Sequence, residues 1–298
     1  VEAFIFPNLR GHEFSGGGVK GALKGLIVGP AMNLCSACIV PVSTAFRNKG
    51  ASIEATLAIA QGSSTLNLPA LIMTAMVFAP MIGGTRIVLS VAGAVLMGPL
   101  VAIAVGERGH PPRNPTIALG LPETDNSQWK PVLIEAGRDW IRSSLTHLLR
   151  LGPIMVLAGF GSALVIQWIN TDVVSSYLGN HLLGISLAAT LGILINVPLL
   201  FEIPLVAALL LAGMGTAPAA TLLFTAAAAG PITFWGLAKV MPRKAIATFA
   251  TGVWTLGLIG GLGILALNSL VDSEKDGLRP ETLASASINS ENSLGVIP

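Results

Sequence analysis

Apolar residues run along this chain in long blocks rather than in alternation. Uncharged runs extend over 87–105, 151–169, 184–200 and 245–267, each close to the roughly 20 residues an α-helix needs to cross hydrocarbon. Between them lie shorter apolar pieces interrupted by glycine, proline and asparagine, and the interruptions recur. Asn33, Pro41 and Gly50 return 163 positions later as Asn196, Pro204 and Gly213. The pattern predicts an all-α integral membrane protein built from an internal duplication. Gly29-Pro30 is expected to break the apolar segment of the first copy, and Val197-Pro198 that of the second. Non-helical backbone at membrane depth persists only where it is buried in protein or lines a water-filled cavity. Paired breaks in two repeats point to the binding site of a transporter.

Composition agrees with this setting. Hydrophobic residues make up 52% of the 298 and charged ones only 11%, against about 25% charged in a soluble domain, and the mean hydropathy is +0.74. A formal net charge of +2 leaves no broad basic footprint for nucleic acid, so the expected partners are the lipid bilayer and a small-molecule substrate, with a homo-oligomer or a membrane complex also open. The distribution of charge is more informative than its sum. If the segments 20–46 and 184–212 are re-entrant hairpins, 14 of the 17 Lys and Arg residues fall on one side, and only Arg86, Lys275 and Arg279 lie opposite. Full crossings by those segments would split the same residues nearly evenly, which the positive-inside tendency disfavours. The hairpin reading makes the two copies inverted repeats. It divides the chain into an approach segment (1–18), membrane repeat 1 (19–105), a cytoplasmic linker (106–146), a linking helix with membrane repeat 2 (147–270) and a polar tail of disordered composition (271–298).

Candidate chemistry clusters at the breaks. The first holds Asn33, Cys35, Ser36 and Cys38, and these are the only two cysteines of the chain. A helix starting near Cys35 would turn its positive dipole end toward the cavity and favour an anion or a thiolate there; inert packing of small residues is the alternative. Further on, the stretch from Gln61 to Asn67 sets Ser63, Ser64, Thr65 and Asn67 inside apolar surroundings, and Thr233 follows Gly230-Pro231 at the matching place. Hydroxyls and amides at such breaks either coordinate substrate or satisfy loosened backbone. Asn196 marks the second break as Asn33 marks the first. Glu202, flanked by Leu199-Leu200-Phe201 and Ile203-Pro204-Leu205, is the candidate for proton coupling, because acids inside a membrane are costly unless they function; a structural hydrogen bond is the alternative. Glu54 is expected near the interface, pairing with Arg47 or Lys49. Gly29, Gly62, Gly213 and Gly230 are expected to absorb changes of backbone angle during transport.

Enzyme chemistry finds little support. Cys35 and Cys38 have the C-x-x-C spacing of thiol–disulfide exchange, but Pro198 and Phe201 stand at the equivalent places of the second copy. His12, His110, His147 and His181 are scattered, without the spacing of a metal or haem site, and no nucleotide-binding glycine loop occurs. The expectation is a permease that is not an enzyme and has no cofactor and no metal; the alternatives are a structural subunit of a membrane complex that has kept a permease fold, and a membrane thiol–disulfide oxidoreductase using Cys35 and Cys38.

Cys35-Ser36, Pro41, Gly50-Ala51 and Leu66-Asn67-Leu68-Pro69-Ala70, followed in the second copy by Phe201-Glu202-Ile203-Pro204-Leu205, Gly213-Met214 and Gly230-Pro231, resemble the predicted permease family that includes the organoarsenical exporter ArsP. The resemblance covers about residues 19–267. It implies a multi-pass permease of the inner (plasma) membrane, efflux and arsenic resistance as its role, and trivalent organoarsenicals as substrates, with cysteine sulfur as the soft ligand. Where that family shows Cys-Ser-Cys-Gly before the proline, this chain has Cys35-Ser36-Ala37-Cys38. Cys35 and Cys38 still fall on one helical turn.

Overall fold

The computed structural model describes residues 16–32, 43, 46–47, 50–106, 171–195, 201–238 and 241–270. Among them every regular element is helical: α1 (Gly18–Met32), α2 (Ile53–Thr65), α3 (Leu68–Val77), α4 (Pro80–Val105), α5 (Thr171–Tyr177), α6 (Leu182–Leu194), α7 (Glu202–Leu211), α8 (Thr216–Ala228), α9 (Pro231–Leu237) and α10 (Arg243–Leu270).

The duplication read from three residues extends through the architecture. Moving 163 positions along the chain carries the start of α2 onto that of α8, the end of α2 onto the end of α8, and Pro80, which opens α4, onto Arg243, which opens α10. The turn before the central helix repeats atom for atom. Gly50 N–H donates to Arg47 O and Ala51 N–H to Phe46 O, each at 3.0 Å; Gly213 N–H donates to Leu210 O at 3.0 Å and Met214 N–H to Leu209 O at 2.9 Å. Both glycines sit at positive φ, +87° and +94°, where a residue with a Cβ is strained.

The two copies hold the same junction by different means. In the first, Ser52 caps α2 by accepting from Ala55 N–H at 3.2 Å and donates its hydroxyl proton to Gly16 O at 3.0 Å. Glu54 Oε1 also accepts from Gly18 N–H at 2.8 Å. In the second copy Gly215 has no side chain with which to cap α8, and Asn180, just before α6, accepts from Ala217 N–H at 3.0 Å. Glu54 is therefore buried at a helix junction, because α1 covers the first turn of α2.

Packing is close where side chains are small. Gly21, Gly25 and Gly29 form a stripe along α1 that lies on α2; a Cβ at Gly25 would stand 2.5 Å from Ala55 O and 2.8 Å from Ala58 Cβ. Gly29 and Pro30 belong to this helix and do not break it. Proline costs its helix one hydrogen bond, and its ring lies against Gly62 of α2, where even a Cβ would stand at ordinary contact distance, 3.5 Å from Pro30 Cδ. Val197-Pro198 lies outside the described residues. Gly98 brings α4 onto the backbone of Glu54, and Gly261, its counterpart 163 positions on, brings α10 onto Thr221 and Ile185. Such small-residue contacts are the usual means of joining helices in lipid.

Helices α2 and α8 are buried at every residue, pack on each other and form the centre of the molecule, with α4 and α10 beside them. One apolar cluster joins Phe78 and Ile82 of the first copy to Ile185, Ile203, Val206 and Leu223 of the second; another joins Leu57, Leu89 and Met97 to Phe224, Phe249 and Val253. Outward, α4 exposes Ile87, Val88, Leu96, Leu100 and Ile103, and α10 exposes Ile259, Leu262 and Leu267. An apolar exterior on helices of this length is a lipid-facing surface. Among the described residues, three stretches are long and apolar enough to cross a membrane, Pro80–Val105, Thr216–Leu237 and Arg243–Ser269, and the pair Thr171–Tyr177 and Leu182–Leu194, bent by 106°, makes up to four. Helices α6, 13 residues, and α7, 10 residues, are each too short to cross alone.

Candidate functional site

Of the residues singled out in the sequence, Asn33, Cys35, Ser36, Cys38 and Asn196 lie outside the described residues. The polar end of α2 is described in full, and its groups face their own helix. Ser63 Oγ donates to Ala60 O at 2.9 Å, Ser64 Oγ to Gln61 O at 3.1 Å and Thr65 Oγ1 to Gln61 O at 2.8 Å. Back-bonding of this kind supplies partners to hydroxyls buried in a helix. Asn67 spans the break: its Nδ2 donates to Ser64 O at 2.7 Å and its Oδ1 accepts from Ala70 N–H at 2.8 Å, so one side chain closes α2 and caps α3. The break at Ala229-Gly230 has no such device, as Gly230 offers no side chain to cap α9.

Glu202 stands in the first turn of α7, 3% exposed, and its Oε1 accepts from Arg86 Nη2 at 2.9 Å. Arg86 is 0% exposed, and its Nη1 donates to Thr74 Oγ1 at 3.0 Å. Charge counting places Arg86 on a water-facing side, ahead of a span beginning at residue 87; the structure corrects this. Pro80 at the first helical position starts α4 earlier, which puts Arg86 in the second turn, on the buried face shared with Ile82, Ser90, Gly93 and Met97. An unpaired charge in such a place would be prohibitive, and Glu202 answers it from the other copy, 116 positions away. Breaking a buried pair of this kind by removing one partner costs about 3–5 kcal/mol.

Other buried polar atoms have no hydrogen-bond partner among the described residues: both amide atoms of Gln61, Ser90 Oγ, Thr233 Oγ1, Arg86 Nε and Glu54 Oε2. Each such group costs about 1–3 kcal/mol when desolvated and unpaired. Their placement is ordered. Ser90 follows Arg86 by one turn of α4, and Gly93 follows Ser90 by another. The amide of Gln61 rests in the notch that Gly93 leaves, and Leu256 of α10 reaches the same notch, 3.3 Å from where a Gly93 Cβ would lie. A polar stripe thus runs from the Arg86–Glu202 pair to the Gln61 amide, between helices of the first copy and helices of the second. The sequence shows Gln61 as one polar residue among several, and only the fold shows which of its hydroxyl-bearing neighbours bond back to their own helix. For Arg86 a signal is present in the sequence: Pro80 as a helix start, followed by a run to Val105 in which Arg86 is the one charged residue.

Residues 13–264 match the family described as predicted permease, ArsP_1. Among curated proteins the chain is similar to UPF0718 protein YraQ of Escherichia coli (strain K12), 28% identical over 249 residues, covering 83% of this chain and 68% of that protein. No solved structure matches. A family match that takes in both copies of the duplication, together with apolar helices long enough to cross a bilayer and a polar stripe enclosed among them, establishes that this chain belongs to the predicted permease family, as a membrane transporter.

Proposed function

We propose that this permease moves a small solute across the inner membrane by alternating access, with its two copies as inverted repeats rocking about the buried interface between them. The observation that carries the proposal is the Arg86–Glu202 pair, which joins α4 of the first copy to α7 of the second beside helices broken at matching positions. Two opposite charges held between two bodies form a contact with two discrete states, closed and parted, and transport by rocking requires such an element. Protonating Glu202 removes the charge that holds Arg86, which couples the parting of the repeats to a proton. The substrate we propose is thiophilic, of the class of trivalent organoarsenicals, with Cys35 and Cys38 as soft ligands and Asn33, Ser36, Asn196 and Thr233 as polar neighbours along the path.

Uptake of trivalent methylarsenic and of a panel of oxyanions into everted membrane vesicles tests this reading, with flux normalised to folded protein. Loss of the arsenical flux in Cys35→Ser/Cys38→Ser is the expected result for thiol-mediated passage, and loss of its pH-gradient dependence is expected for Glu202→Gln. Absence of flux for every compound would instead favour a structural subunit that has kept the permease fold.

A further inference from the structure

We propose that Gln61 and Ser90 form a hydrogen-bonding station for an uncharged, hydroxyl-bearing small solute, at the end of the polar stripe away from the Arg86–Glu202 pair. The inference deepens the transport reading and rests on it for the direction of the path, though not for the station itself. Gln61 is 1% exposed and Ser90 0%, and the Gln61 Nε2, Gln61 Oε1 and Ser90 Oγ atoms have no partner among the described residues. The contrast with their neighbours is specific. On the same helix as Gln61, the hydroxyls of Ser63, Ser64 and Thr65 are each engaged by a carbonyl one turn back, so the local backbone satisfies every polar side chain of that turn except the amide. The Gln61 amide packs in the Gly93 notch yet makes no hydrogen bond to the described fold, and Leu or Met would pack there without a desolvation cost.

The chemistry of the station follows from what it presents. A carboxamide supplies two donors and an acceptor, and a hydroxyl supplies one donor and accepts, which matches a solute whose own groups both donate and accept. Charge selection follows from the next turn of α4. Arg86 is neutralised by Glu202 at 2.9 Å, so the stripe carries no net charge toward a passing solute, and an ion would enter without a counter-charge in a low-dielectric interior. Glu54, the other buried acid among the described residues, is turned toward the start of α1 through Gly18 N–H. A neutral trihydroxide meets these conditions and an oxyanion does not.

Boric acid and arsenous acid are suitable probes, because both are neutral hydroxylated molecules near pH 7 and only the arsenic compound is thiophilic; inorganic phosphate is the anionic comparison. Calorimetric binding to the full chain in lipid nanodiscs is expected to detect both neutral acids and to find phosphate at least tenfold weaker. Gln61→Leu and Gln61→Met are expected to weaken both neutral ligands tenfold or more, and Ser90→Ala to weaken them severalfold, while the melting temperature of each variant stays level or rises. Unchanged binding in the Gln61 variants overturns the station, and so does a fall in melting temperature or loss of fold in both of them, which would make the amide a structural group. Binding of arsenous acid alone, abolished by Cys35→Ser/Cys38→Ser and indifferent to Gln61, also overturns it and leaves the thiol route standing. Flux of the same probes into proteoliposomes separates the two readings: binding without flux keeps the station and removes transport, whereas phosphate flux without binding of either neutral acid keeps transport and removes the station.

Discussion

Arg86 and Glu202 stand 116 positions apart in the chain and 2.9 Å apart in the fold. Either charge alone would be left in an apolar interior, so the two are coupled and their single replacements should not add. Arg86→Met is expected to destabilise the protein by about 3–5 kcal/mol, and Arg86→Met/Glu202→Leu to recover most of that loss. Thermal unfolding in detergent micelles measures both. Equal instability of the single and double variants would show that the pair does not carry the cost. Glu202 can be read from its sequence neighbourhood as an acid inside an apolar segment, but its partner cannot, because no periodicity relates two residues so far apart. Ser63, Ser64, Thr65 and Asn67 illustrate the reverse case. Their polarity is plain in the sequence, while the direction of each hydroxyl depends on helical carbonyls that exist only once the helix has formed.

At the scale of elements, the glycines separate into those that turn the chain and those that admit a neighbour. Gly50 and Gly213 end matching segments at φ +87° and +94°, and alanine at either is expected to cost about 1–3 kcal/mol through backbone strain. Gly213→Ala should be the worse of the two, since its Cβ would also lie 3.3 Å from Ser175 Cβ whereas Gly50 faces open space; melting temperatures of the two variants compare them directly. Gly25→Ala tests the other class. Its Cβ would meet Ala55 O at 2.5 Å, which neither backbone can yield cheaply, and a loss of about 1–3 kcal/mol follows. By contrast Gly263, within α10, would place a Cβ with nothing inside 4 Å of it, and should accept alanine with a change near zero or slightly stabilising. The breaks at Leu66-Asn67 and Ala229-Gly230 are legible from Asn, Gly and Pro. The continuity of α1 through Gly29-Pro30 is not, because it goes with the seating of Gly29 against the backbone of a different helix, where a Cβ would lie 3.0 Å from Ile59 O.

For the whole molecule, the sense of the two copies decides how the repeats can move, and the shared offset supplies a matched test. Asn48 and Leu211 are 163 positions apart, two residues before the matched glycines Gly50 and Gly213 in the sequence. In a background with Cys35 and Cys38 replaced by serine, Asn48→Cys and Leu211→Cys are expected to react with a membrane-impermeant maleimide from opposite faces; labelling from one face would overturn the inverted arrangement. Arg86 does not count toward the charge asymmetry, because it faces Glu202 rather than water. What the sequence by itself determined is the helical, membrane-embedded duplication, with its breaks at Leu66-Asn67 and Ala229-Gly230. Hydrophobic run length and the chemistry of Gly, Pro, Asn and Ser act within a few residues, so they can be read in order along the chain. What only the tertiary structure decided is which buried polar groups are satisfied and by whom. The Arg86–Glu202 pair, the Gly93 notch under Gln61 and the fit of Pro30 against Gly62 each join separate helices, and partners across helices are chosen by packing.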